Sequence, residues 1–128
     1  MITYSHEKPP IYERCVQKFG VDWDKGVIFT YGDTVYSKNE LDEDLKAHEA
    51  THVRQQTEMG KDVWWDKYFA DPKFRLSQEV EAYRNQLKYA DENYNRQARR
   101  AVYKHIIVSL TTMYDGMCTQ SEAVEFMV

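Results

Sequence analysis

Hydrophobic and polar positions change their period twice along the chain. Ile11, Cys15, Val16 and Phe19 recur at three- and four-residue steps between Pro9-Pro10 and Gly20, which predicts a first helix over Pro10–Phe19 lying across the core. The period then shortens. Val27–Tyr31 and Thr34–Tyr36 are β-prone runs either side of Gly32-Asp33, the pattern of a β-hairpin. From Leu41 it is helical again, with Leu41, Leu45, His48, His52, Val53 and Gln56 on helical steps. Acidic Asp42, Glu43 and Asp44 sit at the positive end of that helix's dipole, and Gly60 marks its end.

Further helical segments follow. Asp62–Ala70 is helical and aromatic, and Asp71-Pro72 stops it because the residue before proline disfavours helical dihedrals. Ser77–Ala90 carries a stripe of Val80, Tyr83, Leu87 and Ala90, with Ser77 as its N-cap. Asn95–Met113 runs through Ala98, Val102, Ile106 and Leu110. After a turn at Asp115-Gly116, Thr119 and Glu122 have capping-box spacing for a short last helix. The pattern predicts one α+β domain over residues 1–128, mostly helical, with a small hairpin beside the helices.

Composition narrows the class. With 128 residues, 42% hydrophobic, 30% charged, five Gly and three Pro, the chain is no collagen-like, low-complexity or disordered sequence. Seventeen basic against 21 acidic residues give a net charge of −4, so no broad surface for nucleic acid is implied. The local exception, Arg96, Arg99, Arg100 and Lys104, reads as a solvated helix face before a phosphate-contacting one. No apolar run approaches the roughly 20 residues of a membrane span, and the first ten residues lack the pattern of a secretory signal. A cytoplasmic protein without membrane contact is the expectation. Cys15 and Cys118 form no C-x-x-C pair and read as reduced, structural thiols.

Candidate chemistry enters at His48-Glu49-Ala50-Thr51-His52, an H-E-x-x-H pattern inside a segment already read as a helix. Helical spacing puts the two imidazoles one turn apart on one face, so both can aim a ring nitrogen at one ion. Glu49 points beside that ion, where it can take a proton from water whose pKa the metal lowers. The plainer explanation is two histidines falling four apart by accident on a half-buried helix; the coincidence of the full pattern with its proper context weighs against it. A metal site without catalysis is the stronger alternative.

A third ligand must lie elsewhere. The metzincin pattern needs Gly at 55 and His at 58, where this chain has Gln55 and Glu58. A downstream carboxylate is left, Glu79 or Glu81. Residues two apart on a helix point about 200° from each other, so only one of them faces the ion.

These residues resemble the gluzincin-like metallopeptidases, in particular small zincin-like proteins frequent in phages and bacteria. The likeness spans roughly Val27–Gln86: the hairpin lead-in, H-E-x-x-H-x-x-Q-Q from His48 to Gln56, and Glu-x-Glu-Ala-Tyr-Arg from Glu79 to Arg84. In related groups the ligand glutamate is followed three residues later by alanine; the resemblance thus pairs Glu79 with Ala82 and favours Glu79 over Glu81. Thermolysin-like members have Asp four residues after the ligand, where this chain has Tyr83. Orientation of His48 or His52 is therefore expected from Asp44, Asn85 or a backbone carbonyl. Tyr83 reads as a packed aromatic before an oxyanion-stabilising phenol, and His105 as a core or surface histidine before a transition-state donor.

The resemblance implies a minimal zincin-like domain acting as a zinc-dependent peptidase. His48, His52 and Glu79 would hold Zn²⁺, Glu49 would be the general base, and the partner would be a peptide or protein substrate. Strand Thr34–Tyr36 is expected to be the edge along which an extended substrate adds, with Trp64, Trp65 and Tyr68 walling the cleft. The alternative is a zincin-fold binding module of phage-structural, inhibitor or antirepressor type, in the host cytoplasm or the virion. DNA binding through Arg96–Lys104 is a third reading.

Overall fold

The computed structural model describes residues 1–114 and 116–128, so Asp115 of the expected Asp115-Gly116 turn lies outside the described residues. In chain order the elements are β1 (Thr3–Ser5), α1 (Tyr12–Phe19), a 3₁₀ turn (Trp23–Lys25), β2 (Ile28–Tyr31), β3 (Thr34–Ser37), α2 (Glu43–Met59), α3 (Lys61–Ala70), α4 (Pro72–Asn93), α5 (Arg96–Thr112) and α6 (Gln120–Phe126). This is the mostly helical α+β fold that the patterning predicts.

The hairpin forms as expected, with Phe29 opposite Tyr36 and Thr30 opposite Val35, and Gly32 supplies the positive φ of 66° that its turn requires. A third strand was not legible. Thr3–Ser5 pairs in parallel with β3, giving the order β1-β3-β2. That overturns the expected substrate edge: Thr34–Tyr36 is the central strand, flanked on both sides. Three residues are too few to show a period of two, and β1's partner lies some thirty positions downstream.

Helix α4 corrects a second expectation. Ser77 is not its N-cap; the helix begins at Pro72, and the Asp71 carboxylate accepts from the N–H groups of Lys73 and Phe74. Proline suits this first position because its missing N–H would have no helical partner there, so Asp71-Pro72 both ends α3 and starts α4. The Ser77 hydroxyl instead donates to the Phe74 carbonyl at 2.7 Å. Asn95 caps α5, and Thr119 with Glu122 closes the expected capping box of α6.

Two apolar clusters flank a polar seam. One joins Ile11, Cys15, Phe29, Trp64 and Trp65; the other joins α4, α5 and α6 through Val80, Tyr83, Ile106, Leu110, Ala123 and their neighbours. Between them α2 packs closely against α4. The buried residues of α2 are all polar: Asp44, His48, Glu49, Thr51, His52, Gln55 and Gln56. Leu45 and Val53, expected on the buried stripe, are only partly covered. Desolvating seven such groups is costly unless each finds a partner, and among the described residues no buried side-chain polar atom lacks one.

Both cysteines are buried free thiols, and burial pushes that of Cys15 up to about 12. Arg96, Arg99, Arg100 and Lys104 are all exposed. Among the described residues no helix is long and apolar enough to cross a membrane.

Candidate metal centre

The seam between α2 and α4 brings His48, His52 and Glu79 together, with one ligand atom from each within 4.8 Å of the others. Oε1 of Glu79 lies 3.1 Å from His48 Nε2 and 3.2 Å from His52 Nε2, and the two Nε2 atoms are 3.2 Å apart. Three ligands of a tetrahedral ion with bonds of 2.0–2.1 Å stand about 3.3–3.4 Å from each other. The cluster therefore has the size of such a coordination face. Glu81 is not part of it: one of its oxygens pairs with Arg54 and the other accepts from Gln55 at 2.8 Å.

What holds each imidazole was not evident from the sequence. His48 Nδ1 donates to Oε1 of Gln86 at 3.0 Å, and His52 Nδ1 donates to Oε1 of Gln55 at 2.9 Å. An aromatic ring then packs edgewise on each: Tyr83 on His48, with centroids 4.5 Å apart, and Trp64 on His52 at 5.4 Å. Of the expected orienting groups, Asp44 acts one step removed, accepting from the Gln86 amide at 2.8 Å. Asn85 does not reach a histidine; its amide donates to the Thr51 hydroxyl at 2.9 Å.

With each Nδ1 proton committed to a glutamine, a neutral imidazole presents a bare Nε2 lone pair. Two such lone pairs and a carboxylate oxygen converge, and none of the three can donate to another. A positive charge is what this set lacks, supplied either by a metal ion or by a proton. In the metal-free protein it is a proton: burial opposes charge on His52, but the Glu79 carboxylate overrides that and lifts its pKa to about 9. Burial likewise works against ionisation of Glu79, and His52 and His48 override it, holding the carboxyl well below its ordinary range. The donor set of two imidazoles and one carboxylate fits zinc and other first-row ions.

Glu49 lies on the same turn of α2. Its Oε1 accepts the Thr30 hydroxyl at 2.9 Å, leaving Oε2 3.7 Å from His48 Nε2. Thr30 is itself pinned from the other side, its carbonyl accepting from Gln56 at 2.8 Å and from the Trp65 indole at 3.0 Å. Gln56 also accepts from the Gly32 N–H at 2.7 Å. The consecutive glutamines after the H-E-x-x-H pattern thus face opposite ways, Gln55 to His52 and α4, Gln56 to the hairpin.

His48, Glu49, His52 and Glu79 line a cavity of about 780 Å³ whose walls include Phe29, Trp64, Trp65, Tyr68 and Tyr83. Trp64 and Trp65 are packed and line it at once, as expected. Tyr68 does more, donating its phenol to Oε2 of Glu79 at 2.6 Å. The Tyr83 hydroxyl pairs with that of Tyr114 at 3.0 Å, which fits the packed reading. His105 is an exposed residue at the cavity's margin. A hollow of about 450 Å³ beside the hairpin turn, lined by Tyr31, Asp33 and Lys61, contains none of these groups.

No protein-family model matches the chain, and no curated protein or solved structure does either. Function is therefore read from the geometry of the site.

Proposed function

We propose that the protein is a zinc-dependent peptidase in which His48, His52 and Glu79 hold the ion and Glu49 is the general base. One observation carries the reading: two imidazole Nε2 atoms and a carboxylate oxygen converge at 3.1–3.2 Å, a set that needs one shared positive charge, a proton in the metal-free protein or an ion in its place. When bound there, zinc supplies Lewis acidity, polarising a peptide carbonyl and lowering the pKa of water.

The remaining work belongs to the chain. Thr30 fixes one oxygen of Glu49, so the other is held beside the histidines to accept a proton from water and pass it to the departing amine. Tyr68 holds the outer oxygen of Glu79, so that this carboxylate would offer a single oxygen to an ion. The aromatic walls keep bulk water from the reacting groups and give apolar side chains of a peptide a surface to bury.

A structural metal centre is the second reading, favoured by a specific feature of β2. That strand is the sheet edge nearest the site, yet its Thr30 carbonyl is already taken by Gln56 and Trp65, which limits strand addition there. Elemental analysis of purified protein, followed by incubation with a peptide library, tests both readings. Stoichiometric zinc with cleavage that Glu49→Gln abolishes supports the peptidase. Zinc without cleavage leaves the structural centre, and a protein that takes up no metal overturns both.

A further inference from the structure

Behind each histidine stands a chain of two further groups with the same chemical order. His48 Nδ1 donates to Gln86 Oε1, and the Gln86 amide donates to Asp44 Oδ2 at 2.8 Å. His52 Nδ1 donates to Gln55 Oε1, and the Gln55 amide donates to Glu81 Oε1 at 2.8 Å and to the Gln78 carbonyl at 3.1 Å. An amide side chain can present either its oxygen or its NH₂ to a neighbour, and an imidazole can carry its proton on either nitrogen. A glutamine alone therefore fixes neither. A carboxylate removes the ambiguity because it only accepts.

We propose that Asp44 is a positioning residue that sets the tautomer of His48 through Gln86, whereas Glu81 only duplicates what the Gln78 carbonyl already does for Gln55 and His52; this rests on the metal-centre reading above. Asp44 compels the Gln86 amide to turn its NH₂ outward and its oxygen inward. The inward oxygen compels His48 to carry its proton on Nδ1, leaving Nε2 bare for the ion. Were Gln86 reversed, its NH₂ would donate to Nδ1, the proton would sit on Nε2, and His48 could not coordinate at the cluster. Asp44 is itself held in place, because its other oxygen accepts the Tyr94 hydroxyl at 2.9 Å and that hydroxyl accepts the Asp44 N–H at 3.2 Å. The two arms differ in redundancy. Gln55 has the Gln78 carbonyl as a second acceptor holding its amide outward, whereas among the described residues Gln86 has Asp44 alone.

The order also accounts for the missing acid at position 83. In place of a carboxylate in direct contact with histidine stands an amide with a carboxylate behind it.

The test measures zinc affinity by chelator competition, and ring ¹⁵N shifts of the zinc-loaded protein, which separate protonated, bare and metal-bound nitrogens. In wild type both rings are expected to carry Nδ1–H with Nε2 bound to zinc. Asp44→Asn can face Gln86 with either end of its amide; it is expected to weaken zinc binding about tenfold, within the usual range for such outer groups, and to give His48 a second population without Nδ1–H. Glu81→Gln is expected to change affinity less than about threefold. The decisive variant is Asp44→Asn with Gln86→Glu, which moves the charge one step inward and restores the order of donors. It is expected to recover zinc affinity to within about threefold of wild type, with His48 on Nδ1–H. If the single variant proves too unstable to study, the double variant decides alone, and a folded double variant that remains tenfold weaker overturns the relay. So does an Asp44→Asn protein indistinguishable from wild type. Wild type that takes up no zinc overturns the metal centre itself, and the two failures are thus distinguishable.

Discussion

The hydroxyl of Tyr68 donates to Oε2 of Glu79 at 2.6 Å, while Oε1 of the same carboxylate faces the Nε2 atoms of His48 and His52 at 3.1 and 3.2 Å. A residue from the aromatic helix α3 thereby divides the two oxygens of the carboxylate between a protein donor and the cluster. Burial, reinforced by the charge on Glu79, pushes the Tyr68 pKa well above its ordinary value, so the phenol keeps its proton and remains a donor.

Removing that hydroxyl tests the division. Tyr68→Phe retains the ring that stacks on Trp64 at 4.8 Å, so the fold should be preserved. Glu79 is then free to rotate or to offer both oxygens. Zinc affinity is expected to fall about tenfold, as for other groups that orient a ligand. Chelator competition would show this, and an affinity within twofold of wild type would mean that Tyr68 only packs.

Thr30→Val addresses the proposed base rather than the proposed ligands. Valine matches threonine in shape but leaves Oε1 of Glu49 without its 2.9 Å donor. Hydrogen bonds to charged groups are worth about 1.5–3 kcal/mol, which corresponds to roughly 10- to 100-fold in rate if the bond is what aims the carboxylate. Peptide hydrolysis should fall by that much with zinc affinity unchanged. Equal losses in affinity and rate would show that the hairpin supports the centre as a whole and not Glu49 in particular.

How much of this was legible follows from what kind of signal each element leaves. The H-E-x-x-H spacing, the hairpin and the capped helices α5 and α6 are local patterns, and each appears where its residues predict. The choice between Glu79 and Glu81 came from resemblance, and the two point apart as helical geometry requires. β1 left no trace because three residues carry no period. The start of α4 was misplaced because Pro72 reads as a stop as readily as a first turn, and only the Asp71 cap decides between them. The roles of Gln55, Gln86 and Tyr68 as partners of the cluster were illegible for a different reason: an amide or a phenol acquires its role from what the fold places opposite it, and nothing in spacing along one helix reveals a partner on another.

The Asp71 cap yields a prediction independent of the metal. Its side chain accepts from two N–H groups at the start of α4. Asp71→Ala should cost about 1 kcal/mol of stability, as caps generally do, read as a lower midpoint in urea unfolding of the metal-free protein. Zinc affinity of the folded variant should be unaltered, since α4 reaches Glu79 two turns later. A change below about 0.2 kcal/mol would indicate that Pro72 and packing alone start the helix.

The proposed exchange of proton for metal at the cluster makes a prediction with a definite sign. In the metal-free protein His52 has a pKa of about 9 against an ordinary 6.5, so its contribution to stability is complete below pH 6.5 and is lost as pH rises through 9. Glu79 is shifted the other way, well below its ordinary 4.5, so its contribution is complete above about that pH and is lost only in stronger acid. The pair therefore supports the metal-free fold best between about pH 4.5 and 6.5 and progressively less towards pH 9. Zinc requires the deprotonated imidazole, so binding below pH 9 releases a proton from His52, and affinity should rise about tenfold per pH unit from 6.5 towards 9. The zinc-loaded protein is expected to be spared the alkaline loss, because the ion would take over the role of the proton. The difference in melting temperature between zinc-loaded and chelator-treated protein should thus widen across that interval. A saturating ligand at a thousand times its Kd adds about 4 kcal/mol, enough to displace the melting temperature of a domain this size by roughly 10–20 °C. A difference that stays constant from pH 6.5 to 9 would show that His52 carries no displaceable proton and that the three atoms are not held together by a shared positive charge.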